Sequence, residues 1–253
     1  MDLITTLGLG PREHMAIVGA GGKTSLMFAL AEDLFIGGKR VVIGTTTKVW
    51  TMEAMRFPCV IFSRFDSTWH EKVRDALERY GHIFIGHGIL DSGKLEGIGP
   101  ALADLLYKGP TMDYLILEAD GAAGRPVKAP APHEPVIPAS ATVVVAMIGL
   151  EVIEKDLDPA FVFRLNRFKE VTGLASGEKI SPEVLTTIFH SPEGLFKGAP
   201  ISARRVAFLN KLDLLRDDLK ARRLADLILR PSGVLIDRVV IGSIKEKRYA
   251  IVD

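Results

Sequence analysis

Three short stretches carry residue types whose spacing suits chemistry on a phosphorylated ligand. The first is Gly19-Ala20-Gly21-Gly22-Lys23-Thr24-Ser25, preceded by an apolar run at 15–18 and followed by an apolar stretch with good helix formers. Phosphate binding needs that order. Glycines let successive main-chain N–H groups converge on anionic oxygens, and the start of a helix adds partial positive charge. Lys23 then reaches the β- and γ-phosphates, and the Thr24 hydroxyl ligates Mg²⁺. The commonest form of such a loop has glycine five positions before the Gly-Lys pair, where this chain has Ile17. With Gly19 in that role the loop is two residues shorter.

The second stretch is Tyr114-Leu-Ile-Leu-Glu118-Ala-Asp120-Gly121, an apolar run ending in two acids. Residues two apart on a strand point the same way, so Glu118 and Asp120 can both face a metal beside Thr24, and the choice between them stays open. Gly44-Thr45-Thr46-Thr47-Lys48 follows another apolar run, which puts Thr46 among the candidate magnesium or γ-phosphate contacts. Arg125 and Lys128, just past the acids, either neutralise charge developing on the γ-phosphate or balance Glu118 and Asp120. Lys23, Asp120 and Arg125 are the candidate catalytic groups. His133 and Glu134 stand on a proline-stiffened segment, as a second-ligand site or as structural residues.

The third stretch is Arg205-Val-Ala-Phe-Leu-Asn210-Lys211-Leu212-Asp213, with Gly242-Ser243-Ile244-Lys245 further on. A carboxylate at Asp213 accepts from both N1–H and the exocyclic amine of guanine, whereas adenine leaves it badly paired. The Lys211 stem lies over the base, Asn210 and Ser243 complete the pocket, and a main-chain N–H near Ser243 serves the guanine carbonyl. Strand, Asn-Lys-x-Asp, helix, strand, Ser-x-Lys resembles the base pocket of GTPases. The ligands implied are Mg²⁺ and GTP, with ATP the weaker alternative.

The elements that must position these groups follow from the hydrophobic pattern. Eight short β-branched or aliphatic runs, at 15–18, 40–43, 60–62, 83–85, 114–117, 142–148, 206–209 and 239–241, are mostly continuous rather than alternating. Such runs suit strands buried on both faces of a parallel sheet. Helices are predicted at 24–35, 66–80 and 212–229, the last closed by Pro231 and Gly233, and a hairpin between Gly86 and Gly99. The expected fold is a three-layer α/β domain with right-handed crossovers, spanning 1–253 as a single unit. Five prolines in 126–138 suggest a stiff connector, and 151–205 suggests an inserted helical subdomain with a helix capped by Ser181.

Composition is ordinary for a globular protein: 253 residues, 47% apolar, 25% charged, net charge +1. Without blocks of like charge, nucleic-acid and polybasic membrane partners are disfavoured. The apolar run at 143–150 is too short to span a bilayer, the first residues lack the basic start of a secretory signal, and Cys59 is the single cysteine. These observations point to a cytoplasmic protein. The histidines show no metal-ligand spacing.

The motifs Val18-Gly-Ala-Gly-Gly-Lys-Thr, Gly44-Thr-Thr-Thr-Lys, Leu117-Glu-Ala-Asp-Gly-Ala and Lys128-Ala-Pro-Ala-Pro-His-Glu-Pro-Val-Ile-Pro resemble those of the YqeC-like family, over almost the whole chain. Family members usually carry Thr where this chain has Gly44. The resemblance implies a P-loop NTPase fold and an accessory role in maturing a selenium-dependent molybdenum hydroxylase or its metal cofactor. More loosely the chain is similar to the metal-insertion GTPases of hydrogenase and urease assembly. The shortened loop resembles that of Mur ligases, which supports an alternative: a kinase, ligase or activating enzyme acting on a small acid or a pterin cofactor. A nucleotide-binding regulator that does not hydrolyse its ligand is the third reading.

Overall fold

A computed structural model of the chain describes residues 1–65, 68–175, 177–230 and 232–252. Each of the eight aliphatic runs forms a strand, and all eight join one sheet. They are β1 (Glu13–Gly19), β2 (Val41–Thr45), β3 (Val60–Phe62), β4 (His82–Gly86), β5 (Tyr114–Glu118), β6 (Val143–Gly149), β7 (Arg204–Asn210) and β8 (Arg238–Ser243). A ninth strand, β9 (Arg248–Val252), completes the order β9-β8-β7-β6-β1-β5-β2-β4-β3. Neighbours from β3 to β8 pair in parallel, and only β9 runs antiparallel. The sequence reading ended the sheet at β8. It missed β9 because Arg248–Val252 is an edge strand with mostly half-exposed, mixed side chains, outside the all-apolar pattern.

Burial explains the layers. β1, β2, β5 and β6 are buried at every position. Alternate side chains serve opposite cores: Met15, Ile17, Val145 and Met147 pack with Leu26, Leu30 and Leu34 of the helix Lys23–Ile36. Ala16, Val18, Val144 and Ala146 pack on the other face with helices Leu165–Thr172, Pro182–His190 and Leu219–Leu229. Helices Trp69–Tyr80 and Pro100–Lys108 cover the remainder of that second face. A glycine loop joining the central strand to a helix at the C-terminal edge of this sheet is the layout of a P-loop NTPase-like domain.

Several boundaries differ from expectation. The stretch 212–229 is not one helix. A single 3-10 turn, Leu212–Leu214, is followed by extended Leu215, and the helix begins at Leu219 after Asp218. The helix placed at 66–80 runs from Trp69; residues 66 and 67, and the closing Pro231, lie outside the described residues. The glycine-rich stretch after β4 is antiparallel as predicted, but its strands Gly88–Ile89 and Lys94–Glu96 gain a third, Lys48–Trp50.

The segment 151–205 holds a second helix, Leu165–Thr172, besides Pro182–His190, whose Ser181 cap accepts from Val184 N at 3.4 Å. Its buried Phe168, Leu185, Ile188 and Phe189 share one cluster with the sheet, so this segment supplies part of a layer. The proline-rich segment threads through the interior. Val127–Lys128 pairs in parallel with Val162–Phe163, and Val136 N donates to Ala119 O at 2.9 Å.

Candidate functional site

The turn between β1 and its helix is shaped by close approach of main chains. Gly21 has φ +79°, and a Cβ there would lie 2.1 Å from Gly149 N; at Gly19, φ +90°, it would lie 2.3 Å from Met147 O. Only glycine lets the loop rest on the end of β6 in these conformations. The loop is held by Ala20 N to Met147 O at 2.9 Å and Gly21 N to Arg125 O at 3.2 Å. Lys23, Thr24 and Ser25 open the helix, where first-turn N–H groups have no acceptor within the helix itself. Gly21 through Ser25 line a cleft of about 790 Å³.

Sheet register brings the two acids to this loop by different routes. Glu118 is the last residue of β5 and pairs in register with Ile17 of β1 and Thr45 of β2. Thr24 Oγ1 donates to its Oε2 at 2.9 Å. Asp120 lies two residues on and is fully buried beneath the loop, where both carboxylate oxygens accept from Gly19 N, at 3.0 and 3.1 Å. The acids thus divide: Glu118 meets Thr24, and Asp120 braces the turn.

The Lys23 ammonium sits between them, 3.4 Å from Glu118 and 3.2 Å from Asp120, and donates to Gly19 O at 2.7 Å. Burial alone would lower its pKa. Asp120 and Glu118 outweigh that penalty and hold it above the ordinary lysine value, so the group is charged.

From Asp120 the charges continue inward. Lys128, fully buried, pairs with Asp120 at 3.0 Å and Glu134 at 2.6 Å, and donates to Gly121 O at 2.6 Å. Glu134 accepts two hydrogen bonds from Arg164, one of 2.8 Å from Nη2 to Oε1 and a shorter one from Nη1 to Oε2. Burial raises the Glu134 carboxyl, but hydrogen bonds from Arg164 and Lys128 outweigh it and hold the pKa down to about 2. Thr24, Glu118, Lys23, Asp120, Lys128, Glu134 and Arg164 therefore form one continuous chain of contacts from the loop to the segment 151–205. Sequence reasoning singled out Glu134 and Lys128 but not Arg164, which carries no local motif.

The third stretch also arrives at the loop. Asn210, the last residue of β7, donates from Nδ2 to Gly21 O at 2.8 Å, and its Oδ1 accepts from Ile244 N at 3.1 Å. It clamps the glycine loop to the turn after β8. Lys211 takes a left-handed conformation, φ 67°, and pairs with Glu151. Asn210, Lys211, Asp213, Ser243 and Lys245 surround a separate hollow of about 330 Å³ that shares Gly22, Ser25 and Lys211 with the main cleft. The Asp213 carboxylate has no hydrogen bond or ion pair among the described residues. Ser243 accepts from Glu246 N at 3.2 Å.

Other candidates are placed differently. The Thr46 hydroxyl donates to Val136 O at 2.8 Å, anchoring the proline-rich segment, and Thr46 does not line the cleft. Arg125 lines it with an exposed side chain. His133 is exposed. The cleft also includes Lys48, Trp50, Glu53, Lys94 and Phe163, none of which the motifs indicated as site residues. Burial and then the charge of Glu118 push the Glu53 carboxyl up from its ordinary value. Among the described residues no group of three or more His, Cys, Asp or Glu side chains is arranged to hold a metal ion, and no helix is long and apolar enough to cross a membrane.

The family model described as YqeC protein matches residues 15–166. The YqeC protein of Escherichia coli is 36% identical over 211 residues, which are 83% of this chain and 80% of that protein. Similar solved structures include the 54 kDa protein of the signal recognition particle of Aeropyrum pernix, solved in complex with GDP, at 15% identity and a TM-score of 0.40. The match covers 96% of this chain but 44% of that one. Another is the hydrogenase maturation factor HypB of Archaeoglobus fulgidus, at 13% identity and 0.39, over 96% of this chain and 85% of that one.

Proposed function

The chain belongs to the YqeC family, and on that footing we propose that it binds a magnesium nucleoside triphosphate over the 19–25 loop, with GTP as the nucleotide. One observation carries the reading. A glycine loop at the end of a central parallel strand leads into a helix whose second residue, Thr24, touches a strand-end carboxylate, Glu118, with Lys23 beside both. Magnesium takes one or two protein oxygens plus phosphate oxygens and water. A hydroxyl and a carboxylate 2.9 Å apart are a fitting donor pair, so Thr24 and Glu118 would hold the ion. Bound magnesium supplies neutralisation of phosphate charge.

The chain's own groups then do the rest. First-turn N–H groups of the helix donate to the phosphate oxygens, and Lys23 turns its ammonium from the two acids toward the phosphates. Asp120 keeps the loop in place through Gly19 N, and Arg125 stands free at the cleft mouth to meet developing charge. Support for guanine is the Asp213 carboxylate, without a partner among the described residues, in a hollow adjoining the cleft beside Lys211 and the Asn210 clamp. The biological setting we propose is nucleotide-dependent maturation of a selenium-dependent molybdenum hydroxylase, as the family resemblance implies, with a protein client or its metal cofactor as partner.

Calorimetric titration with GTP, ATP, CTP and xanthosine triphosphate in the presence of Mg²⁺ tests this. GTP is expected to bind tightest, Lys23→Ala to abolish binding of all, and Asp213→Asn to weaken GTP while admitting the xanthine nucleotide. If ATP binds tighter and Asp213→Asn changes nothing, guanine recognition is refuted. If Lys23→Ala binds as the parent does, the phosphate seat is refuted as well.

A further inference from the structure

The cleft has more cationic surface than a magnesium triphosphate needs. One wall carries Lys48, Trp50 and Lys94, from the three-stranded sheet, and Arg125 and Phe163 also line the space. Lys48 and Trp50 flank buried Val49 on one strand, so both side chains leave the same face, and Trp50 stands in register with Lys94. Trp50 is 60% exposed, and the Lys94 ammonium lies 4.8 Å from its ring centroid. Lys23, Arg164 and Lys211 each have a carboxylate partner. Lys48, Lys94 and Arg125 have none among the described residues.

Sheet order separates this region from the base hollow. Asn210 and Ser243 end β7 and β8 on one side of β1, whereas Lys48 follows β2 on the other. A nucleotide whose base lies toward β7 and whose phosphates lie over the loop leaves the Trp50 wall free.

We propose that this outer half of the cleft binds a second ligand, a planar aromatic anion carrying a phosphate or carboxylate. Lys48 and Lys94, which have no carboxylate partner among the described residues, call for negative charge, and an exposed indole with a phenyl ring lining the same cleft calls for a flat ring. The inference rests on the nucleotide reading only for the order of the two ligands along the cleft.

Flavin mononucleotide serves as the probe, with riboflavin lacking the anion and ribose 5-phosphate lacking the ring. Binding is followed by fluorescence polarisation of the flavins, and for ribose 5-phosphate by calorimetry, with the full chain saturated by a non-hydrolysable GTP analogue and Mg²⁺. Flavin mononucleotide is expected to bind well above either fragment, and Trp50→Ala and Lys94→Ala each to weaken it by about tenfold, the usual scale of losing one stacking or cation–π contact. Analogue affinity and Tm should be unchanged in both variants. The proposal is overturned if flavin mononucleotide binds no better than the fragments, if the variants bind it as the parent does, or if the analogue displaces it. Should the analogue itself not bind, the nucleotide reading fails, and the same flavin titrations without it still decide the second site.

Discussion

Replacing Lys128 with Met removes one charge from the middle of the buried chain while keeping a side chain of similar length. The ammonium is fully buried and is shared by Asp120 at 3.0 Å and Glu134 at 2.6 Å. After substitution Asp120 keeps Lys23 and Gly19 N, and Glu134 keeps Arg164. Removing one partner of a buried ion pair costs about 3–5 kcal/mol, because a charge is left in a medium that solvates it poorly. Since both acids retain another partner, the lower end applies, about 3 kcal/mol. For a domain of this size about 1 kcal/mol moves Tm by about 2–4 °C, so a fall of about 6–12 °C is expected by scanning calorimetry. A second effect follows from the same contacts. Asp120 then depends on Lys23 as its one remaining cation among the described residues, which holds that ammonium away from phosphate and weakens triphosphate binding. A Tm change under about 2 °C with unaltered nucleotide affinity would refute the claim that these charges are coupled.

Other expectations are narrower. Glu134 has a folded pKa of about 2 against its ordinary 4.5, so its stabilisation is complete above pH 4.5 and is lost as pH falls toward 2. Glu134→Gln should flatten that acid limb in pH-dependent denaturant unfolding; an unchanged slope means the carboxyl is not held low. Gly21→Ala places a Cβ 2.1 Å from Gly149 N at φ +79°. The left-handed conformation alone costs about 1–2 kcal/mol, and strain of that size on the phosphate seat should lower nucleotide affinity by about five- to thirtyfold in titration. Thr24→Ala should bind nucleotide without magnesium as the parent does and lose the gain from added Mg²⁺, a comparison made by calorimetry with and without chelator. Equal gains in the two proteins would exclude Thr24 as a ligand of the ion.

Much of the fold was legible because its signals are local. Continuous aliphatic runs can satisfy burial on two faces only inside a covered sheet, and all eight became its parallel strands. The exposed edge strand Arg248–Val252 and the helix Leu165–Thr172 lacked comparably strong patterns. In the site, the glycine loop was readable since its conformational demand lies within a few consecutive residues. The cleft wall of Lys48, Trp50 and Lys94 was not, because its members meet through antiparallel pairing of strands more than forty residues apart in the sequence.

By itself, then, the sequence determined a parallel α/β domain with a glycine turn leading into a helix after its first strand, since strand burial and glycine stereochemistry are properties of short segments. Only the tertiary structure decided which acid touches Thr24, that Asp120 supports the loop from below, and that Asn210 fastens the loop to the turn after β8. Those choices depend on sheet register between strands well separated in the sequence, and a shift of one residue in a strand sends every side chain to the opposite face.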